Sequence, residues 1–268
     1  MSTVISKDGT RIAYDKIGAG PAVVLVDGAM VYRGHGGLDP LAAQLADQFT
    51  VYTYDRRGRG ESGDTLPYAV EREVEDLEAI IDEAGGPAFV YSISSGAALV
   101  MEAAIQMGGK IKKLAIYEAP YNDDENARKV WREYTKQLGA LLAADRRGDA
   151  VALFMKLVGA SDDDIAGVRQ SPGWPVMEAV APTLAYDHTA LLGEDASVPT
   201  ERAARVTVPT LVMDGGNSFP FMHVTALTLA KAIPHAQHRT LKGQTHEVDP
   251  AALAPVLEEF FHSDTAMR

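Results

Sequence analysis

Val90-Tyr91-Ser92-Ile93-Ser94-Ser95-Gly96-Ala97-Ala98 joins a run of strand character to a run of helix character with no loop between them. Ala88-Phe89-Val90-Tyr91 has the composition of a strand, and Gly96–Met107 is rich in small helix-compatible residues. A nucleophile carried on such a turn must project from a strained backbone, which requires small residues two positions to either side. Gly96 meets that requirement, and Ser92 meets it less fully. The same five residues, Ser92 to Gly96, also read as a Ser-rich helix cap, because Ser is a preferred capping residue. The surrounding sequence has to decide between the two readings.

Upstream, Val4–Ser6 and Arg11–Lys16 read as two strands joined by Lys7-Asp8-Gly9-Thr10, a hairpin signal. Ala22-Val23-Val24-Leu25-Val26 is an unbroken apolar run, as expected of a strand buried on both faces. Apolar residues at helical spacing predict a helix over Leu38–Phe49, followed by a strand over Phe49–Tyr54. A second helix is predicted over Tyr68–Ala84, with Val70, Val74, Leu77 and Ile81 on one face. Leu114–Tyr117 reads as the strand after the elbow helix. Strict alternation of strand and helix implies parallel strands with helices on both faces of one sheet.

Beyond Asn122 the alternation stops. Residues 122–205 read as helical, Ala- and Asp-rich, and without a strand. Strand and helix resume at Thr210–Met213, Phe221–Ile233, His238–Leu241 and Pro250–Phe261. The expected organisation is a core of residues 1–121 and 206–268, interrupted by a helical cap insertion over 122–205. An insertion at the C-terminal ends of parallel strands would cover the crevice where open α/β sheets bind ligands.

Bulk properties narrow the function. A chain of 268 residues can bury a full core without metals or disulfides, and it contains no Cys. Disulfides, thiolate metal sites and a Cys nucleophile are therefore excluded. Lys and Arg total 25 against 37 Asp and Glu, a formal charge of −12. That balance argues against nucleic acid as a partner, since phosphate binding needs cationic side chains. The N-terminus lacks a signal-peptide pattern and no apolar run is long enough to span a membrane, so a cytoplasmic location is expected. No His-Glu-x-x-His or comparable ligand spacing occurs, so neither metal nor organic cofactor is expected. The expected partner is a small-molecule substrate. Oligomeric state leaves no mark in the sequence.

Four further segments occur in an order that gives the elbow its context. They are Val23-Val24-Leu25-Val26-Asp27-Gly28, Asp55-Arg56-Arg57-Gly58-Arg59-Gly60-Glu61-Ser62-Gly63, Pro209-Thr210-Leu211-Val212-Met213-Asp214-Gly215, and Gly243-Gln244-Thr245-His246. Together with the elbow they resemble the serine-nucleophile branch of the α/β-hydrolase fold superfamily over nearly the whole chain. The resemblance implies a mostly parallel eight-stranded sheet with helices on both faces. It implies Ser94 as nucleophile and His246 as base, on the loop between the last strand and the terminal helix. It implies an oxyanion hole from the backbone N–H groups of Ala29 and Ser95. The chemistry is consistent: a Ser hydroxyl needs a base within hydrogen-bond reach, and an imidazole titrates near neutrality. The Asp55–Gly63 turn reads as structural, its Arg residues and Asp55 tying loops together by charge-assisted bonds.

Three departures from the family pattern stand out. The residue three after Gly215, where the acid usually sits, is Ser218. Asp27 stands where the family usually has His, and Ser92 stands where it usually has Gly. Two other carboxylates are candidates for the acid that must orient the base. Glu118 ends the preceding strand, a position from which some superfamily members draw their acid. Asp214 is the second choice, since strand alternation can turn it away from the site. A carboxylate at Asp27 can bond to loop N–H groups, or it can place negative charge beside a developing oxyanion. Trp131, Phe154, Trp174 and Met177 are candidates for a substrate pocket in the insertion.

Ser at the nucleophile position disfavours the branches that use Asp there. The expected activity is hydrolysis of a carboxylic ester, lactone or thioester of a small to medium apolar substrate through an acyl-enzyme, as in EC 3.1. The alternative is a binding or non-hydrolytic protein on the same fold with a degenerate triad, since fold does not fix function.

Overall fold

Strands β1 (Ser2–Ile5) and β2 (Arg11–Ile17) form the predicted hairpin at one edge of an eight-stranded sheet, in a computed structural model that describes residues 2–263. β3 (Ala22–Val26) leads through α1 (Asp39–Leu45) to β4 (Thr50–Tyr54), and α2 (Val70–Glu83) leads to β5 (Ala88–Ile93). α3 (Ser95–Met107) follows the elbow and returns the chain to β6 (Ile111–Tyr117). The strand order is β1-β2-β4-β3-β5-β6-β7-β8, with β7 at Thr210–Gly215 and β8 at Gln237–Leu241. Among the strands of the described residues, only the β1–β2 and β2–β4 pairings are antiparallel.

Between β6 and β7 the chain is helical. It runs through α4 (Glu125–Ala143), α5 (Arg147–Leu157), α6 (Asp162–Arg169), α7 (Trp174–Val180), a π-helical turn over Tyr186–Leu191, and α8 (Thr200–Ala203). α9 (Pro220–Ala232) connects β7 to β8, and α10 (Pro250–His262) closes the fold. No helix among the described residues is long and apolar enough to cross a membrane.

Alternation along each strand divides the core in two. Val24, Val26, Val90, Leu114, Ile116 and Val212 face one way and meet α2, α3 and α9. Val23, Leu25, Phe89, Tyr91, Ala115 and Met213 face the other way and meet α1 and α10. The helices between β6 and β7 pack into the first of these cores through Trp131, Leu138, Val151 and Trp174.

α1 is shorter than its apolar pattern predicts. Gln48 and Phe49 both donate backbone N–H groups to the Leu45 carbonyl, at 3.1 and 3.0 Å, which tightens the chain into a turn before β4. α3 starts one residue earlier than predicted, at Ser95, because the turn is completed at Ser94 itself.

Candidate active site

Ser94 sits at φ 58° and ψ −135°, between the last residue of β5 and the first of α3. A non-glycine residue held there carries strain of roughly 1–3 kcal/mol, which persists only where the surroundings enforce it. Those surroundings are tightly packed. A Cβ on Gly96 would lie 2.4 Å from Ser92 Oγ and 2.5 Å from the Asp27 carbonyl, so that position admits only glycine. The Ser92 hydroxyl is accommodated because it donates to the Val26 carbonyl at 2.7 Å. A Cβ on Gly28 would lie 3.1 Å from Ser94 Cβ, so glycine lets the loop after β3 approach the elbow closely.

Hydrogen bonds extend the sheet past its strands. Ser94 N–H donates to the Tyr117 carbonyl and Glu118 N–H to the Met213 carbonyl, both at 3.0 Å. Residues 94, 118 and 214 are thereby aligned at the C-terminal ends of three adjacent strands. Met30 (φ 68°) and Glu118 (φ 47°) share the left-handed backbone of Ser94, so strain gathers at this rim.

Glu118 is buried, at 1% exposure, and all its hydrogen bonds converge on the site. Oε1 accepts the Gly215 N–H at 2.7 Å. Oε2 accepts the Ser218 hydroxyl at 2.8 Å and lies 2.8 Å from His246 Nδ1. An acid placed so fixes the imidazole with its Nε2 turned away from the acid. Tyr117 Oη donates to the Thr245 carbonyl at 2.6 Å and holds the His246 loop. Gly215 makes that approach possible, since a Cβ there would lie 2.4 Å from the Gln244 carbonyl. Ser94 Oγ donates no hydrogen bond among the described residues. Nucleophile–base contacts are often loose without substrate and tighten on binding.

The two proposed oxyanion donors are both left free. Neither the Ala29 nor the Ser95 N–H donates a hydrogen bond among the described residues. Across a trans peptide the carbonyl and the next N–H point in opposite directions. The Arg59 guanidinium binds the Gly28 carbonyl, so the Ala29 N–H faces the other way. Ser95 N–H is one of the unpaired donors at the start of α3.

The "Alpha/beta hydrolase family" model matches residues 23–256. The chain belongs to the alpha/beta hydrolase family. This hydrolase resembles the crystal structure of an alpha/beta hydrolase from Sphaerobacter thermophilus DSM 20745, with 53% identity and a TM-score of 0.85 over 97% of this chain and 100% of that one. It is 34% identical over 105 residues, 37% of each chain, to the "Uncharacterized hydrolase YraK" of Bacillus subtilis (strain 168). Over 92% of its own length and 94% of the other, it is 23% identical to proline iminopeptidase PfmaB of Pestalotiopsis fici.

The hydrolase supports the loop after β3 with buried charge. Arg56, Arg57 and Arg59, the three Arg of the Gly-rich turn, are each at most 1% exposed. Arg57 clamps Asp76 with two bonds of 2.7 Å, and Arg33 grips Asp55 at 3.0 and 2.9 Å. These are the loop ties predicted from the motif. Arg56 and Arg59 do more. Arg56 holds Glu73 with bonds of 2.7 and 2.8 Å and donates to the Asp27 carbonyl at 3.2 Å. Both Arg also bind Asp187 in the π-helical turn, Arg56 at 2.7 Å. Asp187 in turn accepts the Ser95 hydroxyl at 2.7 Å. Burial alone would raise the Asp187 pKa, but Arg56 and Arg59 hold it at about 2. One carboxylate thus links the helices between β6 and β7 to the loop after β3, through Arg56 and Arg59, and to the start of α3. π-Turns recur at functional sites, yet nothing in the sequence marks this one beyond a polar Asp187-His188 pair in an apolar stretch.

His188 too lies in the π-helical turn. Its Nδ1 is 2.6 Å from Tyr134 Oη, and its ring is flanked by Trp131 and Phe154, with centroids at 5.3 and 5.1 Å. Burial lowers its pKa to about 4, so it is neutral at pH 7. Of the four predicted pocket residues, Trp131 and Phe154 therefore come together. Trp174 does not join them: it packs against Gly148 and beneath the Arg169 guanidinium. Met177 is half-buried against the first core.

Asp27 is 3% exposed, and its Oδ1 has no partner. Burial raises its pKa to about 7, against the pull of Arg59. The second-choice acid, Asp214, is directed elsewhere. Its oxygens lie 2.9 Å from His223 Nδ1 and 2.6 Å from His238 Nε2, and it makes no contact with His246. Alternation along β7 is the reason: the Gly215 N–H serves Glu118, while the side chain of Asp214 turns to the α9 face.

Proposed function

We propose that the protein hydrolyses an ester-type bond, in a carboxylic ester, lactone or thioester, of a small to medium apolar substrate. Ser94 attacks the carbonyl carbon while His246 Nε2 takes the hydroxyl proton. Glu118 holds the tautomer and stabilises the imidazolium. The N–H groups of Ala29 and Ser95 bind the oxyanion, whose collapse expels the alcohol or thiol with the proton from His246. Water, deprotonated by the same base, then releases the acid from the acyl-enzyme. The helices of residues 122–205 act as a cap that excludes water, and Trp131 and Phe154 give the pocket its apolar wall.

The observation that carries this reading is the 2.8 Å contact of His246 with a buried Glu118, at the strand end beside the elbow. It also weighs against the degenerate-triad alternative, because Ser218 supports an acid instead of being one. Turnover of a panel of p-nitrophenyl esters and lactones, compared with Ser94→Ala, tests it. Activity that survives in the variant removes Ser94 as nucleophile.

A further inference from the structure

A second cluster of titratable side chains lies on the other side of β7, outside the proposed catalytic residues. Asp214 is fully buried, and its Oδ2 lies 2.9 Å from Nδ1 of His223 on α9. Its Oδ1 lies 2.6 Å from Nε2 of His238 on β8. The two ligand-type nitrogens and the carboxylate all lie within 4.8 Å of one another. Thr240, paired with Asp214 across the sheet, adds its hydroxyl at 3.1 Å. His238 and Thr240 are two residues apart on β8 and so share the face that α9 covers. The two imidazoles stand edge-to-face, with centroids 5.7 Å apart.

We propose that Asp214, His223 and His238 form a binding site for a zinc-type divalent transition-metal ion. Two imidazole nitrogens and one carboxylate oxygen are a zinc donor set, with water as the fourth ligand. Bonds of about 2.0–2.1 Å in a tetrahedron separate the ligand atoms by about 3.3 Å. The two Asp–His contacts, at 2.9 and 2.6 Å, are each within an ångström of that separation. His223 is exposed and His238 half-exposed, so both rings can make that adjustment, and the ion enters from solvent. The buried carboxylate supplies the negative charge. Magnesium and calcium prefer oxygen donors and are poor fits to two imidazoles.

The test uses untagged full-length protein, titrated calorimetrically with zinc chloride in a non-chelating buffer, with His223→Ala and His238→Ala in parallel. One zinc per chain is expected in the wild type. Each variant should lose at least about a hundredfold in affinity, since losing a ligand costs more than the 10–100-fold typical of an outer-shell partner. The melting temperature should rise by about 5 °C at zinc near a hundred times its Kd, in the wild type only. Magnesium should do neither. Zinc binding as tight in the two variants as in the wild type would overturn the assignment, as would a wild type that binds none.

Discussion

Two carboxylates, Glu118 at the end of β6 and Asp214 near the end of β7, each meet imidazole within 3 Å. Glu118 has one His and two neutral donors, the Gly215 N–H and the Ser218 hydroxyl. Asp214 has two His and a Thr hydroxyl. The neutral donors hold Glu118 in a fixed orientation, so its single imidazole is held in one tautomer. Two imidazoles on Asp214 instead form a donor triangle that can close on a cation. A buried carboxylate near a His is therefore not enough to specify an acid–base pair. What distinguishes the two is how many of the remaining lone pairs are taken by groups that cannot titrate.

The largest test of this contrast is Glu118→Gln against Asp214→Asn. The first should lower kcat by about a thousandfold to ten-thousandfold, the scale seen when a triad acid is replaced by its amide. The second should lower it by less than about tenfold, the scale of one lost hydrogen bond. The opposite ranking would return Asp214 to the catalytic role.

Asp27 is the limiting case, a strand-end carboxylate with no imidazole and one oxygen unpartnered. With its pKa raised from 3.8 to about 7, the folded chain keeps a proton that the unfolded chain gives up. Its contribution to stability therefore falls as pH rises through that interval. Asp27→Asn removes the effect and should gain about 2 kcal/mol over wild type between pH 5 and pH 8. Urea unfolding at the two pH values measures this, and parallel curves would show that Asp27 carries no such penalty.

Ser218→Ala removes only one of the neutral donors to Glu118. A drop in kcat of about fivefold, with KM held, is expected for the loss of one hydrogen bond of about 1 kcal/mol. A loss as deep as that of Glu118→Gln would mean that Ser218 contributes more than support to the acid.

The strands and the elbow were legible because they depend on local patterns. Unbroken apolar runs, Asp-Gly turns and a Ser between small residues carry their own geometry. Glu118 is favoured over Asp214 by the resemblance to superfamily members that draw their acid from that strand end, and strand alternation counts against Asp214. What the sequence did not disclose is long-range. Ser218 looked like a missing acid, and its role as a donor depends on a carboxylate 100 residues earlier in the chain. Asp187 reaches Ser95 across 92 residues, through a π-turn with no local signature. Trp131 and Phe154 meet around His188, whereas Trp174, equally aromatic, packs among its own helices.

The central claim is that Ser94 is an activated nucleophile, and labelling with a fluorophosphonate probe followed by peptide mass spectrometry tests it most directly. Such a probe reacts with a Ser that a base and an oxyanion site activate. A single adduct on Ser94, absent in Ser94→Ala and slowed at least a hundredfold in Glu118→Gln, is the expected result. An unlabelled Ser94 in folded wild-type protein would contradict it.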